Sequence, residues 1–179
     1  LRAAQEAVRT NAPLLGINLG HMGFLTETEP DCLETAVKAL MEERYTLENR
    51  MLLRIDRPHT GESYLALNDV VVNRGGYARL ITLDAFAGEE IVGHYVADGL
   101  IVATPTGSTG YSLSAGGPVI HPAVDCVVIT PICAHSLQHR PVVVPGNEKI
   151  RLALQGDEES GVVVQVDGQT RCMLRPGED

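Results

Sequence analysis

The segment Thr104-Pro105-Thr106-Gly107-Ser108-Thr109-Gly110-Tyr111-Ser112-Leu113-Ser114-Ala115-Gly116-Gly117-Pro118 follows directly on the apolar run Leu100 to Ala103. No packing requirement calls for so many small hydroxyls among glycines, and the chemistry they suit is the cradling of a phosphate or a ribose. Gly107 and Gly110 allow positive φ and close approach of the backbone to a ligand, and successive N–H groups in such a turn form an anion-binding concavity. Thr106, Ser108, Thr109, Ser112 and Ser114 offer neutral donors and acceptors to phosphate oxygens or sugar hydroxyls. A Walker loop is excluded, since the segment holds no lysine. A nucleophile elbow is excluded too, because Thr106 stands where Gly-x-Ser-x-Gly requires glycine. The plain alternative is a Gly/Ser loop joining two strands.

Other residues carry weaker signals. Asn68-Asp69, at the entrance of a strand-like run, pairs a carboxamide with a carboxylate, which suits two ribose hydroxyls or simply starts a strand. Asp98-Gly99 reads as a turn or a ligand carboxylate, and Asp167-Gly168-Gln169, closing a Val-rich run, most economically as a hairpin turn. Phe24, after a glycine turn, could cover a base or pack in a core. Arg79 could serve a phosphate or be solvated. His135 and His139 stand four apart, but Pro131, Pro141 and the missing glutamate of His-Glu-x-x-His argue against a metal pair. Cys32, Cys126, Cys133 and Cys172 are scattered without a Cys-x-x-Cys pair, which argues against structural zinc and for reduced, mostly buried thiols of a cytoplasmic protein.

These residues need elements to position them. The chain has 179 residues, 44% of them hydrophobic, with no apolar run near the roughly 20 residues of a membrane span. It shows no signal peptide and no initiator methionine. A net charge of −9 argues against a nucleic-acid surface and means that a phosphate-bearing ligand needs backbone amides, a few arginines and a metal ion such as magnesium. Leu1 to Thr10 is helical in pattern, with Asn11 a left-handed cap and Pro13 a stop. Leu14 to Leu19 reads as a buried strand with a glycine turn, Gly20 to Phe24, at its carboxyl end, where α/β sheets bind ligands. A helix starts at Pro30 and runs to about Glu43, with Leu33, Val37, Leu40 and Met41 on one face. From Arg50 onward short β-branched runs follow, at Leu67 to Asn73, Leu80 to Phe86, Leu100 to Ala103, Cys126 to Thr130, Val142 to Val144, Ile150 to Leu154 and Val162 to Val166. Arg57 to Ser63 reads as an exposed, mobile loop. The layout is an α/β part, residues 1–49, followed by a β-rich ligand-binding domain, residues 50–179, of sandwich or barrel type.

Taken together, Gly16 to Leu25, Ala66-Leu67-Asn68-Asp69, Asp98 to Ser112, Ser114-Ala115-Gly116-Gly117-Pro118 and Val166-Asp167-Gly168-Gln169 resemble bacterial NAD kinases in order and spacing over nearly the whole chain. The resemblance implies ATP-dependent phosphorylation of the 2′-hydroxyl of the adenosine ribose of NAD, giving NADP, with a divalent metal such as Mg2+. It also implies a Rossmann-like α/β domain joined to a β-sandwich-like domain, in homodimers or homotetramers. On this resemblance Asn68 and Asp69 hold the nicotinamide-side ribose region. Thr109, Gly110, Tyr111, Ser112, Leu113 and Ser114 line the adenosine side, Asp98 contacts NAD near a subunit boundary, and Phe24 closes over the adenine. Arg79, Thr106, Cys133 and Gln169 also fall at nucleotide-contacting positions, Cys133 through its backbone. The family usually has alanine at the position of Gly110. Its Gly-Gly-Asp-Gly motif, with the general-base aspartate, falls upstream of Leu1, and its final strands fall beyond Asp179. The chain is therefore expected to be an incomplete NAD kinase with no turnover of its own.

Three rival functions remain. A lipid or sphingoid kinase of the same fold would want an apolar cleft, against the hydroxyl-rich segment. A non-catalytic nucleotide sensor would bind without phosphoryl transfer, and a purely structural β domain would bind no dinucleotide.

Overall fold

The computed structural model describes residues 1–20, 25–75, 80–136, 139–156 and 162–177. The chain divides into two compact units, Arg2–Asn49 and Arg50–Asp179, with Leu1 grouped with the second.

In the first unit, helix α1 (Arg2–Thr10) ends at Asn11, whose φ of 51° is the left-handed cap read from the sequence. A 3-10 turn at Pro30–Cys32 leads into α2 (Leu33–Met41). Leu14 to Leu19 is not a regular buried strand. Its one ladder contact is an isolated parallel bridge, Ile17 to Thr28, and Leu19 is 86% exposed. A strand needs hydrogen-bonded neighbours on its edges and packing on its faces, and within this unit the described residues supply a single bridge. The apolar face of α2 is likewise open, with Met41 81% exposed.

The second unit is built from strands. A hairpin of β1 (Leu53–Arg57) and β2 (Glu62–Ala66) comes first. The exposed connection is therefore shorter than Arg57 to Ser63, because Arg57 pairs with Glu62 and Asp56 with Ser63. The remaining strands are β3 (Asp69–Asn73), β4 (Ile81–Ala87), β5 (Glu90–Ala97), β6 (Gly99–Ala103), β7 (Cys126–Ile132), β8 (Val142–Pro145), β9 (Ile150–Gln155), β10 (Val162–Val166) and β11 (Gln169–Leu174). Among the described residues they form a six-stranded antiparallel sheet, β11-β10-β3-β6-β7-β8, and a three-stranded sheet, β5-β4-β9. One of the passages from one sheet to the other is at Asp98, between β5 and β6.

Period-2 alternation sorts the side chains. Val70, Val72, Leu100, Val162, Val164 and Val166 of the larger sheet meet Ile81, Leu83, Ala85, Tyr95 and Leu154 of the smaller one in the main core, which makes the unit a sandwich. Val71, Ile101, Ala103, Val128 and Ile132 face the other way and are covered by Ala115 and Ile120. The hydroxyl-rich segment thus lies over the outer face of the larger sheet. That coverage is why the central strands β3, β6 and β7 read as continuous apolar runs.

Candidate dinucleotide-binding site

The site begins where β3 starts and β6 ends, since Asp69 pairs with Ala103 across the ladder. Residues 67–69 form a turn whose backbone polar groups are all engaged. The carboxylate of Asp167 accepts the N–H of Leu67 at 3.0 Å, of Asn68 at 2.8 Å and of Asp69 at 3.3 Å. The N–H of Asp167 donates to the Asp69 carbonyl at 3.0 Å, the Thr104 N–H to the Asn68 carbonyl at 2.9 Å, and the Thr104 hydroxyl to the Leu67 carbonyl at 2.6 Å. The side chains of the turn are left over. Asn68 Oδ1 is buried without a hydrogen-bond partner. Asp69 is only 6% exposed, and burial first, then the Asp167 charge, push its carboxyl up to about 6.

From Thr104 the chain enters a 3-10 turn, Gly107–Thr109, and a single helical turn, α3 (Tyr111–Ser114). Neither Gly107 nor Gly110 adopts positive φ, contrary to the sequence reading. Gly107 serves close approach instead, because a Cβ there would lie 2.0 Å from the Asn68 carbonyl oxygen. At Gly110 a Cβ would crowd the Gly107 carbonyl oxygen at 3.3 Å and would lie 3.9 Å from both Asn68 Nδ2 and Asp69 Oδ2, so the absent methyl leaves space beside that pair.

Most of the expected phosphate donors are committed inside the loop. The Gly107 N–H donates to Thr104 Oγ1 and the Ser108 N–H to the Thr104 carbonyl. The buried Ser108 hydroxyl donates to the Pro105 carbonyl at 2.6 Å. Thr109 donates to the Thr106 carbonyl at 3.2 Å, and the buried Ser112 shares a 2.8 Å hydrogen bond with Thr130. Thr106 is the exception, its hydroxyl buried without a partner. Tyr111, Leu113 and Ser114 are exposed on α3.

Asn68, Asp69, Thr106, Thr109 and Gly110 therefore converge at one end of the larger sheet. Gln169 joins them, since it pairs with Val166 across the two-residue turn Asp167-Gly168, whose φ values of 49° and 73° are those of the expected hairpin. Asp98 and Cys133 do not join them. Asp98 precedes β6 and Cys133 follows β7, at the opposite end of the strands, about 13 Å away for four residues of β3. There the Asp98 N–H donates to the Ile132 carbonyl and its carboxylate pairs with Arg74 Nε at 3.0 Å. Phe24 and Arg79 lie outside the described residues.

The thiols are not mostly buried. Cys126 is buried and Cys172 half-buried, but Cys32 and Cys133 are exposed, and none of the four forms a disulfide. Among the described residues no group of three His, Cys, Asp or Glu side chains could hold a metal ion, and no helix is long and apolar enough to cross a membrane.

Two residues escaped the sequence reading. Asp167 passes for an ordinary hairpin residue and Thr104 for one hydroxyl among many. Nothing local signals that they secure a turn about 100 and 37 positions away.

Residues 67–179 match the family described as the ATP-NAD kinase C-terminal domain, and residues 1–45 its N-terminal domain. The chain is 45% identical to the NAD kinase of Moorella thermoacetica and 44% to that of Pseudomonas fluorescens, over 99% of its own length in each case. It spans 58% and 61% of those two proteins, about three fifths of the curated relatives' length. Yeast NADH kinase complexed with NADH superimposes with a TM-score of 0.83 at 33% identity, covering 93% of this chain and 49% of that one. An NAD kinase from Archaeoglobus fulgidus in complex with ATP gives 0.71 at 32% identity, covering 90% and 61%.

Proposed function

The chain belongs to the ATP-NAD kinase family, and from that premise we propose that the full protein transfers a phosphoryl group from ATP to the 2′-hydroxyl of the adenosine ribose of NAD. The observation that carries the reading is the convergence of unmatched polar atoms. Asn68 Oδ1 and Thr106 Oγ1 are both buried without partners, in a site that also holds the Asp69 carboxylate. Buried polar atoms are nearly always hydrogen-bonded, so a group that completes them is a ligand with hydroxyls or amides to offer. A ribose fits. The Asp69 carboxylate and the Asn68 side-chain Oδ1 accept its hydroxyl protons, and the Thr106 hydroxyl adds a donor.

On this reading Asn68 and Asp69 take the nicotinamide-side ribose region, and residues Thr109 to Ser114 flank the adenosine side. Asp98 contacts the dinucleotide near a subunit boundary, in a homodimer or homotetramer, and Cys133 contacts it through its backbone. Gln169, Phe24 and Arg79 complete the contacts. The general base is an aspartate upstream of Leu1. Mg2+ enters with the triphosphate. The protein works in the cytoplasm.

The test is NADP formation from NAD, ATP and Mg2+ by the full-length protein in a coupled dehydrogenase assay. Turnover is expected, and it should vanish when the upstream aspartate is replaced. Tight NAD binding without turnover would make the protein a sensor, and no binding would refute the site.

A further inference from the structure

We propose that Asp167 is a positioning residue for dinucleotide recognition, its carboxylate holding the three consecutive backbone N–H groups of Leu67, Asn68 and Asp69 so that the turn presents the Asn68 amide and the Asp69 carboxylate to the ligand. The inference rests on the reading of the site given above and adds a residue to it. Three successive amides gathered on one anion form a nest of the kind that binds phosphate. Here the anion is internal, an 8% exposed side chain brought from the β10–β11 hairpin.

The arrangement is reciprocal. Asp167 donates its own N–H to the Asp69 carbonyl while accepting the Asp69 N–H, so hairpin and turn are locked in one register. With Thr104 holding the two remaining carbonyls, no backbone group of the turn can rotate toward Asn68 Oδ1 to satisfy it. That side-chain oxygen stays available because Asp167 and Thr104 have taken everything else. The hairpin backbone suits the task. Asp167 sits at a φ of 49°, a conformation that Asp and Asn tolerate better than most residues.

Asp167 also acts on Asp69 through its charge. Around Asp69, Ala103 lies opposite on β6 and the loop contributes Gly110. Val166 lies opposite the neighbouring Val70 on β10. Asp167 is the one charged group of the described residues that raises the Asp69 carboxyl, in addition to burial. A residue that merely supported the fold would leave the pH dependence of ligand binding in place.

The experiment is calorimetric titration of NAD into the full-length protein from pH 5 to 8, for wild type, Asp167→Asn and Asp167→Glu. Asparagine keeps the left-handed tolerance but turns an amide donor toward one of the three N–H groups. Glutamate keeps the charge and displaces the carboxylate by one methylene. Both variants are expected to weaken NAD binding by about tenfold, the loss of one well-placed charge-assisted hydrogen bond, with the KM for ATP unchanged. In Asp167→Asn the acid limb of NAD binding, near pH 6 in wild type, should also move to lower pH. Should Asp167→Asn not fold, Asp167→Glu still separates placement from charge, and wild-type affinity in that variant would overturn the proposal. So would an Asp167→Asn protein with unchanged affinity and an unmoved acid limb. A wild-type protein that binds no NAD at all would instead refute the site itself, and this role with it.

Discussion

The turn at 67–69 and the loop at 104–117 face the same site, yet they use their polar groups in opposite ways. The loop is the richer in hydroxyls, and it directs them inward: Ser108 to Pro105, Thr109 to Thr106, Ser112 to Thr130. The turn is poorer, but its backbone is held from outside by Asp167 and Thr104, so its side chains remain uncommitted. Hydroxyl density therefore marks a rigid scaffold, and recognition falls to the few polar groups the scaffold leaves unmatched. Rigidity of that kind is what positions a ligand group without a further ordering cost.

The contrast can be broken by substitution. The largest effect is expected from Gly107→Ala, which drives a Cβ to 2.0 Å from the Asn68 carbonyl, where backbone on both sides leaves no room to yield. A loss above about 3 kcal/mol in urea unfolding is predicted, because overpacking against backbone cannot relax through rotamers. A normal midpoint would show that loop and turn are not in fact wedged together.

Asp69→Asn should sharpen the difference by separating stability from binding. The folded carboxyl titrates at about 6 against an ordinary value of 3.8, so the folded state holds its proton over a range where the unfolded chain has lost it. The associated stability is present below about pH 4 and lost as pH rises through 6, a penalty of about 3 kcal/mol at pH 8. The asparagine variant should be more stable than wild type by up to that amount at pH 8, with little difference at pH 4, while NAD affinity falls. Equal unfolding midpoints at pH 8 would show that the carboxylate is not penalised by its surroundings.

The smallest effects come from a pair of hydroxyl deletions. Ser112→Ala should cost about 2 kcal/mol, since it leaves the buried Thr130 hydroxyl without its partner. Thr106→Val removes a hydroxyl that has none, so stability should be unchanged or gain less than about 1 kcal/mol, with NAD binding weakened. Similar stability effects for the two would erase the distinction between committed and available hydroxyls.

Several elements were legible from local pattern. The Val-rich runs at 69–73, 126–132 and 162–166 became strands because β-branched residues in short apolar stretches bounded by turns have few other options. Asp167-Gly168 became a two-residue hairpin turn for equally local reasons, since both positions need positive φ. The hairpin of β1 and β2 was missed because its strands are charged and half-exposed, Arg54, Asp56 and Glu62 among them, and carry little apolar signal. Leu14 to Leu19 was overread, since apolar character states a need for burial but cannot supply the neighbours that provide it.

By itself the sequence determined the β-rich character of residues 50–179, the place of the hydroxyl-rich segment after a buried strand, and the turn at Asn68-Asp69. These follow from short-range sterics and hydrophobic period, which act between residues close along the chain. Tertiary structure alone decided which polar groups were left for a ligand. Whether a hydroxyl or carboxylate is satisfied depends on partners such as Asp167 and Thr130, about 100 and 18 positions from the groups they hold. Only folding brings those partners within hydrogen-bonding distance.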